Sequence, residues 1–172
     1  MDYTRHYSSP LGSITLASDG EAIIGLWFDG QKYFGETLRE YEQGHALPVF
    51  DEAERWLELY FSGKEPPFTP KLRMCASAFR KTVWNILLTI PYGQTMTYGQ
   101  IADIVAEKTG QKQMSAQAVG GAVAHNSVSL IIPCHRVVGT NGSLTGYAGG
   151  LDKKIRLLQM EQTDLRGFFL PK

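Results

Sequence analysis

The stretch that most constrains this chain is residues 131–138, whose sequence is IIPCHRVV. Paired aliphatic residues flank a proline, a thiol, an imidazole and a guanidinium. Proline turns the chain and cannot donate a backbone hydrogen bond, so a central strand does not accommodate it. The neighbouring Cys134 and His135 place a nucleophile beside a potential general base. We therefore interpret this stretch as a reactive site and the rest of the chain as its support.

The charges of the chain are unevenly distributed. The formal net charge is zero, but residues 1–75 carry 12 acidic and 7 basic residues, whereas residues 76–172 carry 5 acidic and 10 basic ones. At 172 residues and 43% hydrophobic composition, the chain can form one large domain or two small ones. The charge asymmetry suggests two modules, with any polyanionic partner bound by the second. Chance scatter of the charges is the alternative.

The cysteine content and the N-terminus indicate the compartment. The chain has two cysteines, Cys75 and Cys134, without a CxxC pair or paired histidines. This pattern excludes a disulfide framework and argues against a structural zinc site. The first five residues lack the apolar core of a signal peptide, and the apolar runs are too short to cross a membrane. We predict a cytoplasmic protein that has no metal site and does not associate with membranes.

The first part of the chain predicts a small sheet with one helix. Residues 13–17 alternate with period two, and residues 22–28 form a return strand after a polar turn, which predicts a hairpin. A helix is predicted after Asp51, with Gly63 at its C-terminal end. The proline-rich residues 64–70 cannot continue that helix and predict a linker. We therefore expect an N-terminal α/β domain over residues 1–70 and a C-terminal domain over residues 71–172.

The second part predicts mostly helices. An amphipathic helix spans residues 79–90, Thr97 is placed to cap a helix over residues 98–107, and Ser115 is placed to cap residues 116–123. This last helix consists mainly of alanine and glycine, and two adjacent glycines cost it about 1 kcal/mol each. The succession of helix, turn and small-faced helix is typical of a helix-turn-helix that binds DNA. Close packing against a neighbouring helix is the alternative.

The thiol of Cys134 needs activation because a cysteine has a pKa near 8.5 and is mostly protonated at neutral pH. His135 is the nearest candidate base, and a carboxylate behind it can orient the imidazole. Glu161 is one of several acidic candidates. We place it on the third turn of a last helix, over residues 153–162, with Asp152 as its N-cap. The alternative for Cys134 is a buried structural thiol.

Residues 133–137, PCHRV, resemble the signature of the O6-methylguanine-DNA methyltransferases, which repair DNA by direct reversal. The likeness extends over most of residues 8–161. It implies a mixed α/β (α+β) fold with a ribonuclease-H-like N-terminal sheet and a mostly helical C-terminal domain that contains a winged-helix-like helix-turn-helix. The other matching positions are residues 9–12, Tyr98, residues 118–122, Asn126, residues 147–150 and residues 157–161.

The resemblance implies a catalytic set. Cys134 attacks the alkyl carbon of O6-methylguanine, or less readily of O4-methylthymine, and keeps the alkyl group in a single turnover. Glu161, His135 and a bound water deprotonate the thiol. Asn126 braces the turn that carries the site, and Tyr98 promotes rotation of the damaged nucleotide and assists proton transfer to guanine. No cofactor is implied.

The resemblance also implies how the substrate is bound. The partner is double-stranded DNA containing an alkylated guanine, which a monomer flips out of the helix. Val123, Tyr147 and Ala148 line the pocket for the flipped base. The residues implied to contact DNA are Arg80, Tyr98, Ala116, Gln117, Ala118, Gly121 and Thr140.

One position departs from the pattern of the family. Some members insert an arginine from the recognition helix into the space that the flipped base leaves, and this chain has Gln117 there. Glutamine can hydrogen-bond to the orphaned cytosine but supplies no charge. Two alternatives to the repair activity stay open: a DNA-binding protein without transfer activity, which the presence of Cys134 disfavours, and a cysteine hydrolase that turns over repeatedly.

Overall fold

The computed structural model describes residues 1–171, and contacts divide the chain into two compact units. The first unit comprises Met1–Cys75 together with Ser127–Ile131, and the second begins at Ala76 and takes up the remainder. The first unit thus ends beyond the linker expected over residues 64–70, and a five-residue segment from the second half of the sequence belongs to it. Whether the chain forms two independently folding domains divided at residue 70 stays a prediction.

The first unit contains a four-stranded sheet. Its strands are β1 (Asp2–Ser9), β2 (Gly12–Ser18), β3 (Ile23–Phe28) and β4 (Tyr41–Gln43), in the order β3-β2-β1-β4. β2 pairs antiparallel with β1 and β3, which confirms the hairpin expected from residues 13–17 and 22–28. β4, which the sequence did not predict, pairs parallel with β1 at one edge.

One helix, α1 (Pro48–Phe61), packs against this sheet. It begins before Asp51, where the sequence placed its start, because Pro48 occupies the first turn, in which its missing N–H costs nothing. The buried side chains recur with helical spacing, and Gly63 follows the helix with a φ of +86°, as expected of a C-terminal stop. The buried side chains are Val49, Phe50, Ala53, Trp56, Leu57 and Tyr60.

The second unit is mostly helical, as expected. Its two short strands, β5 and β6, pair in parallel, and α3 and α4 follow one another as a helix, a turn and a second helix. The elements are α2 (Ala78–Leu87), β5 (Met96–Thr97), α3 (Tyr98–Thr109), α4 (Ala116–Ala124), β6 (Val137–Val138) and α5 (Leu151–Met160). The structure and its structural relatives, given below, confirm the mixed α/β class.

The caps of these helices follow the sequence in two cases and depart from it in one. Thr97 forms a reciprocal capping box with Gln100 at α3, and the hydroxyl of Ser115 accepts two backbone N–H groups of α4. The N-cap expected at Asp152 is wrong, because α5 begins at Leu151, two residues earlier than expected, and Gly150 is its N-cap. Asp152 instead lies in the first turn, where its negative charge interacts favourably with the helix dipole.

The end of the chain packs onto α5 within the second unit. Phe168 contacts a small core that includes Leu144 and Leu158, and the N–H of Leu144 donates to the carbonyl of Phe169 at 2.8 Å. Phe168 thus anchors this segment, whereas Phe169 is exposed. None of the helices formed by residues 1–171 has the length and apolar character needed to cross a membrane.

Candidate active site

A tight turn presents the candidate nucleophile. Pro133 has φ −80° and ψ 67°, and the N–H of Cys134 donates to the carbonyl of Ile132 at 2.8 Å. These values define an inverse γ-turn, to which the proline ring is already suited. A single turn of 3₁₀ helix over Cys134–Arg136 follows. The side chain of Cys134 is buried, so the backbone fixes the thiol in a site that is largely closed to water.

Asn126 holds the start of this turn. Its Nδ2 donates to the carbonyl of Ile132 at 2.8 Å, and the side chain is buried. Asn126 lies just after the C-terminal end of α4, so the hydrogen bond joins that helix to the residue before Pro133. Asn126 therefore lies where it can hold the turn in place, which is the role that the family resemblance implies.

A buried ion cluster lies behind the thiol-bearing turn. Nε2 of His135 is 2.5 Å from Oε2 of Glu161, and both side chains have no solvent exposure. Nε and Nη2 of Arg136 donate to the two oxygens of the same carboxylate at 2.8 and 3.2 Å. The N–H of Gly93 adds a fourth donor at 3.2 Å. Four converging donors make this carboxylate the centre of the cluster.

Glu161 reaches the cluster from the buried side of α5. The sequence placed it on the third turn of a helix, which is wrong, because α5 ends at Met160 and Glu161 is its C-cap. It follows the buried Leu157 and Leu158 by four and three residues, which is the spacing of one helix face, and the residue as a whole is only 2% exposed. The pairing of His135 with Glu161, which spacing alone offered as one of several options, is present in the structure.

The protonation states in the cluster follow from its geometry. Burial by itself raises the pKa of Glu161, but the hydrogen bonds and charges of His135 and Arg136 outweigh it and lower the pKa to about 2. Burial also lowers the pKa of His135, against the opposing pull of Glu161. The imidazole is therefore neutral at pH 7, and Nε2 must carry its proton to bond with an ionised carboxylate. Nδ1 then carries the lone pair that can accept a proton.

Two tyrosines lie beside the thiol. Burial, followed by the charge of Cys134, raises the pKa of Tyr98 to about 12 and raises that of Tyr147 well above its ordinary value. The Tyr98 hydroxyl lies 3.3 Å from the carbonyl oxygens of Thr145 and Gly146, to which it can donate. The Tyr147 hydroxyl is buried and has no hydrogen-bond partner in residues 1–171. Both phenols thus remain protonated at neutral pH and can serve as donors.

The other predicted pocket residues differ in exposure. Val123 is buried on the inner side of α4, and Ala148 is half-buried next to Tyr147. Gly146 precedes Tyr147 with a φ of +72°, and a Cβ atom there would lie 3.0 Å from the Tyr98 hydroxyl. A glycine is therefore needed at this point of the loop for both backbone and steric reasons.

Helix α4 presents its small residues to solvent. Ala116, Gln117, Ala118 and Gly121 are exposed, and a Cβ added at Gly121 would meet no atom within 4 Å. The opposite side is anchored, since the indole Nε1 of Trp84 donates to the carbonyl of Ala122 at 2.9 Å. A Cβ at Gly120 would make ordinary van der Waals contact with the ring of Tyr98 at 3.9 Å, so close packing explains neither this glycine nor the exposed positions.

The two remaining residues predicted to contact DNA lie at different places in the second unit. Arg80 is half-buried in the first turn of α2, where its N–H donates to the hydroxyl of Ser77. Thr140 is exposed, and its hydroxyl lies close to Gly99 in the first turn of α3. Thr140 is thus near the helix-turn-helix, at the end that also carries Tyr98.

Sequence reasoning did not assign a role to two residues of this region. Arg136 belongs to the reactive stretch, yet its part in holding Glu161 became visible only in the structure. Lys154 has a fully buried side chain in α5. Its spacing of three and four residues from Leu157 and Leu158, which are also buried, is the signal that could have revealed it.

The second cysteine belongs to the other unit. Cys75 is exposed and belongs to the first unit, and neither it nor Cys134 forms a disulfide. Within residues 1–171, the side chains of histidine, cysteine, aspartate and glutamate form no group of three or more that could hold a metal ion. Cys134 is therefore the candidate nucleophile of this site.

Comparison with known proteins matches both halves of the chain. Residues 78–163 match the family model described as 6-O-methylguanine DNA methyltransferase, DNA binding domain, and residues 3–74 match the ribonuclease-like domain of the same family. A methylated-DNA–protein-cysteine methyltransferase from Mycobacterium leprae is 38% identical, covering 94% of this chain and 93% of its own. The protein of that name from Methanosarcina acetivorans is 42% identical, covering 92% and 97%.

Solved structures give the same result. The Mycobacterium tuberculosis protein OGT, crystallised in complex with DNA, superposes with a TM-score of 0.81 at 37% identity, covering 93% of this chain and 92% of its own. An O6-methylguanine DNA methyltransferase from Methanococcus jannaschii superposes with a TM-score of 0.61 at 30% identity, covering 97% and 98%. Similarity therefore extends over both units.

Proposed function

This chain belongs to the 6-O-methylguanine DNA methyltransferase family, and we propose that it repairs alkylated guanine in double-stranded DNA by transferring the alkyl group to Cys134. The enzyme class is that of its relatives, the methylated-DNA–protein-cysteine methyltransferases. The observation that carries the assignment of Cys134 is the hydrogen-bonded pair of His135 and Glu161 beside it.

Activation of the thiol begins with the neutral imidazole. His135, which follows Cys134 directly, takes the thiol proton on Nδ1, directly or through a water molecule. The imidazolium that results is stabilised by the ionised Glu161, which already accepts its Nε2–H. Arg136 keeps the carboxylate in place and ionised.

The transfer itself is a displacement at the alkyl carbon. The thiolate sulfur of Cys134 forms a bond to that carbon, and the bond between the carbon and O6 of guanine breaks. The electron pair of the broken bond passes to the purine, which regains its carbonyl and takes up a proton. Tyr98 is protonated at neutral pH and can pass its proton to the purine as the electron pair arrives. The proton that His135 took from the thiol is released to solvent, from which the phenol is protonated again. The product is S-alkylcysteine, so each molecule acts once.

The damaged base has to leave the DNA helix to reach this thiol. Flipping a nucleotide costs a few kcal/mol, and less when the lesion weakens its base pair. Val123, Tyr147 and Ala148 are the residues that we propose to line the pocket for the flipped base. The Tyr147 hydroxyl, buried and without a hydrogen-bond partner in the described chain, can donate to the base.

The exposed face of α4 is the proposed DNA-contacting surface. Three of its residues, Ala116, Ala118 and Gly121, have a methyl side chain or none, so the helix backbone can approach the DNA closely, and Gln117 is the one long side chain on this face. Tyr98 at the start of α3 and Thr140 beside it lie in the same unit, whose sequence carries the excess of basic residues. Arg80 in α2 is the proposed phosphate contact.

We expect Gly121→Ala to stabilise the protein by about 1 kcal/mol and to weaken its binding to duplex DNA by roughly tenfold. Alanine favours the helix by about that amount, and the added Cβ has open space in the protein. The same Cβ projects into the surface proposed to contact DNA. Thermal unfolding and fluorescence anisotropy with a labelled duplex measure the two effects.

Gly120→Ala is the matched control for this change. It adds the same helix propensity, but its Cβ meets the ring of Tyr98 at 3.9 Å rather than open space. We expect a similar gain in stability and a smaller loss of affinity. If both variants bound DNA as tightly as the parent protein, the open face of α4 would not be the contact surface.

We expect Gln117→Arg to raise the affinity for duplex DNA several-fold and to steepen its salt dependence by about one unit of the log–log slope. Gln117 is exposed on α4 and provides no charge where some family members have an arginine. Gln159→Arg adds the same charge at an exposed position of α5 and is the control. Equal gains from both variants would reveal a general charge effect rather than an effect of position 117.

The stoichiometry of repair tests the function. A duplex with one O6-methylguanine is supplied in tenfold excess over the protein, and the guanine produced is measured with time. We expect production to stop at about one guanine per protein molecule. Continued turnover would favour the cysteine hydrolase, and tight binding with no guanine produced would favour a DNA-binding protein without transfer activity.

A further inference from the structure

Lys154 is a charged residue that the mechanism above does not use. Its side chain has no solvent exposure, although lysine is almost never fully buried unless it is paired. Its Nζ donates to the carbonyl of Val137 at 2.5 Å and to that of Thr145 at 2.8 Å. Within residues 1–171 it forms no ion pair with a carboxylate. A leucine at this position of α5 would fill the core without the cost of burying a charge.

The two carbonyls that Lys154 binds belong to the two segments that form the site. Val137 directly follows the 3₁₀ turn of Cys134–Arg136. Thr145 precedes Gly146 and Tyr147, and its carbonyl also faces the Tyr98 hydroxyl, at 3.3 Å. The ammonium therefore ties the thiol-bearing segment to the loop that carries the proposed pocket residues.

Lys154 lies close enough to Cys134 for the two groups to interact electrostatically. Before the thiol ionises, Arg136 and Glu161 form an ion pair, His135 is neutral and Tyr147 is protonated. When His135 takes the thiol proton, the resulting imidazolium is held by Glu161. Burial lowers the pKa of Lys154 to about 8, and the charge of Cys134 acts in the opposite direction, so the amine is mostly charged at pH 7. The attraction is mutual: a cation that the thiolate stabilises also stabilises the thiolate.

We propose that Lys154 is a positioning residue of the transfer reaction: it fixes the pocket loop at Thr145 against the segment after Cys134, and its buried positive charge stabilises the thiolate in addition to the imidazolium of His135. This role rests on the proposed function of Cys134. It concerns a side chain that touches the substrate at no step and acts through two backbone carbonyls and through its charge.

The test compares three variants, Lys154→Met, Lys154→Arg and Arg156→Met, all in a Cys75→Ser background so that Cys134 is the one remaining thiol. Methionine keeps the length and removes the charge, arginine keeps the charge, and Arg156 is an exposed cation of the same helix. Two quantities are measured: the rate of alkyl transfer from duplex DNA in a single turnover, and the rate at which iodoacetamide alkylates Cys134 as a function of pH without DNA. Circular dichroism monitors folding.

We expect Lys154→Met to transfer at least tenfold more slowly and to reach half-maximal reaction with iodoacetamide at a pH about one unit higher. Lys154→Arg should keep the pH profile even if its transfer is slowed, and Arg156→Met should change neither quantity more than twofold. A shift in thiol reactivity without DNA is specific to the charge, and it is measured whether or not the protein repairs DNA. Failure of the proposed function would therefore appear separately, as absence of transfer in the parent protein.

The proposal is overturned if folded Lys154→Met keeps both the parent transfer rate and the parent pH profile, or if Arg156→Met changes them equally. If Lys154→Met does not fold, Lys154→Arg decides: an unchanged profile supports the role of the charge, and a shifted profile contradicts it. Loss of folding in both variants would mean that Lys154 is needed only for the stability of the core, which would also overturn the proposal.

Discussion

Cys134→Ala is expected to abolish alkyl transfer completely while leaving affinity for duplex DNA within about threefold of the parent protein. The one other cysteine of the chain, Cys75, is exposed and has no histidine or carboxylate of this cluster beside it in the sequence. The substitution removes one sulfur from a buried turn that Pro133 and Asn126 continue to hold. Single-turnover repair of a duplex containing O6-methylguanine and fluorescence anisotropy with the same duplex measure the two effects.

Cys75→Ser is the control for this experiment. It removes the other cysteine of the chain, and we expect full transfer activity. If Cys134→Ala retained any stoichiometric transfer, or if Cys75→Ser abolished it, the assignment of the nucleophile would be wrong.

Glu161→Gln is expected to slow transfer by about 10²- to 10⁴-fold, the usual contribution of a general base and its support. It is also expected to destabilise the protein by about 3–5 kcal/mol, because it leaves the buried guanidinium of Arg136 without its counterion. The amide cannot stabilise the imidazolium of His135 when the thiol proton arrives. Single-turnover kinetics and denaturant unfolding measure the two losses.

The pH dependence of stability identifies the cause of this destabilisation. Glu161 has a lower pKa in the folded protein, about 2, than its ordinary 4.5, so the stability that it contributes is fully present above pH 4.5 and is lost as the pH falls towards 2. The stability difference between the parent protein and Glu161→Gln should therefore shrink over that interval. Asp103→Asn, which changes an exposed carboxylate of α3 in the same unit, is the control and should show no such convergence. A difference that is constant from pH 7 to pH 2 would mean that the loss is not due to the charge of Glu161.

Local patterns were sufficient to predict much of the fold. The alternation in residues 13–17 and the capping residues Thr97 and Ser115 act over a few positions, so the sequence contains nearly all the information that determines these elements. Apolar periodicity located the helices for the same reason. The short edge strand β4 has no such pattern, because its three residues are exposed and are held by pairing with β1.

The parts of the site formed by neighbouring residues could be predicted from the sequence, and the parts formed by tertiary contacts could not. Cys134 and His135 are neighbours in the sequence, so their chemistry could be inferred directly. Glu161 lies 26 residues beyond His135, and only the folded chain brings its carboxylate to His135 and Arg136, where it becomes the buried centre of the cluster. The family resemblance identified Glu161, but its bonds to Arg136 and Gly93 required the structure.

Lys154 shows the limit of the sequence more clearly. A lysine on a helix is ordinarily a surface residue, and no motif distinguished it from Lys153 beside it. Its burial follows from two carbonyls, those of Val137 and Thr145, which come together only when the pocket loop folds back onto the thiol-bearing segment. A contact between a side chain and backbone carbonyls leaves no pattern in the sequence.

The most direct test of the account is to find where the alkyl group resides after repair. The protein is incubated with a duplex whose O6-methylguanine carries a tritiated methyl group, then digested, and the peptides are separated and analysed by mass spectrometry. We predict about one labelled methyl group per protein molecule, all of it on the peptide that contains Cys134 and present as S-methylcysteine. Label released to solvent, or label on any other residue, would contradict the account.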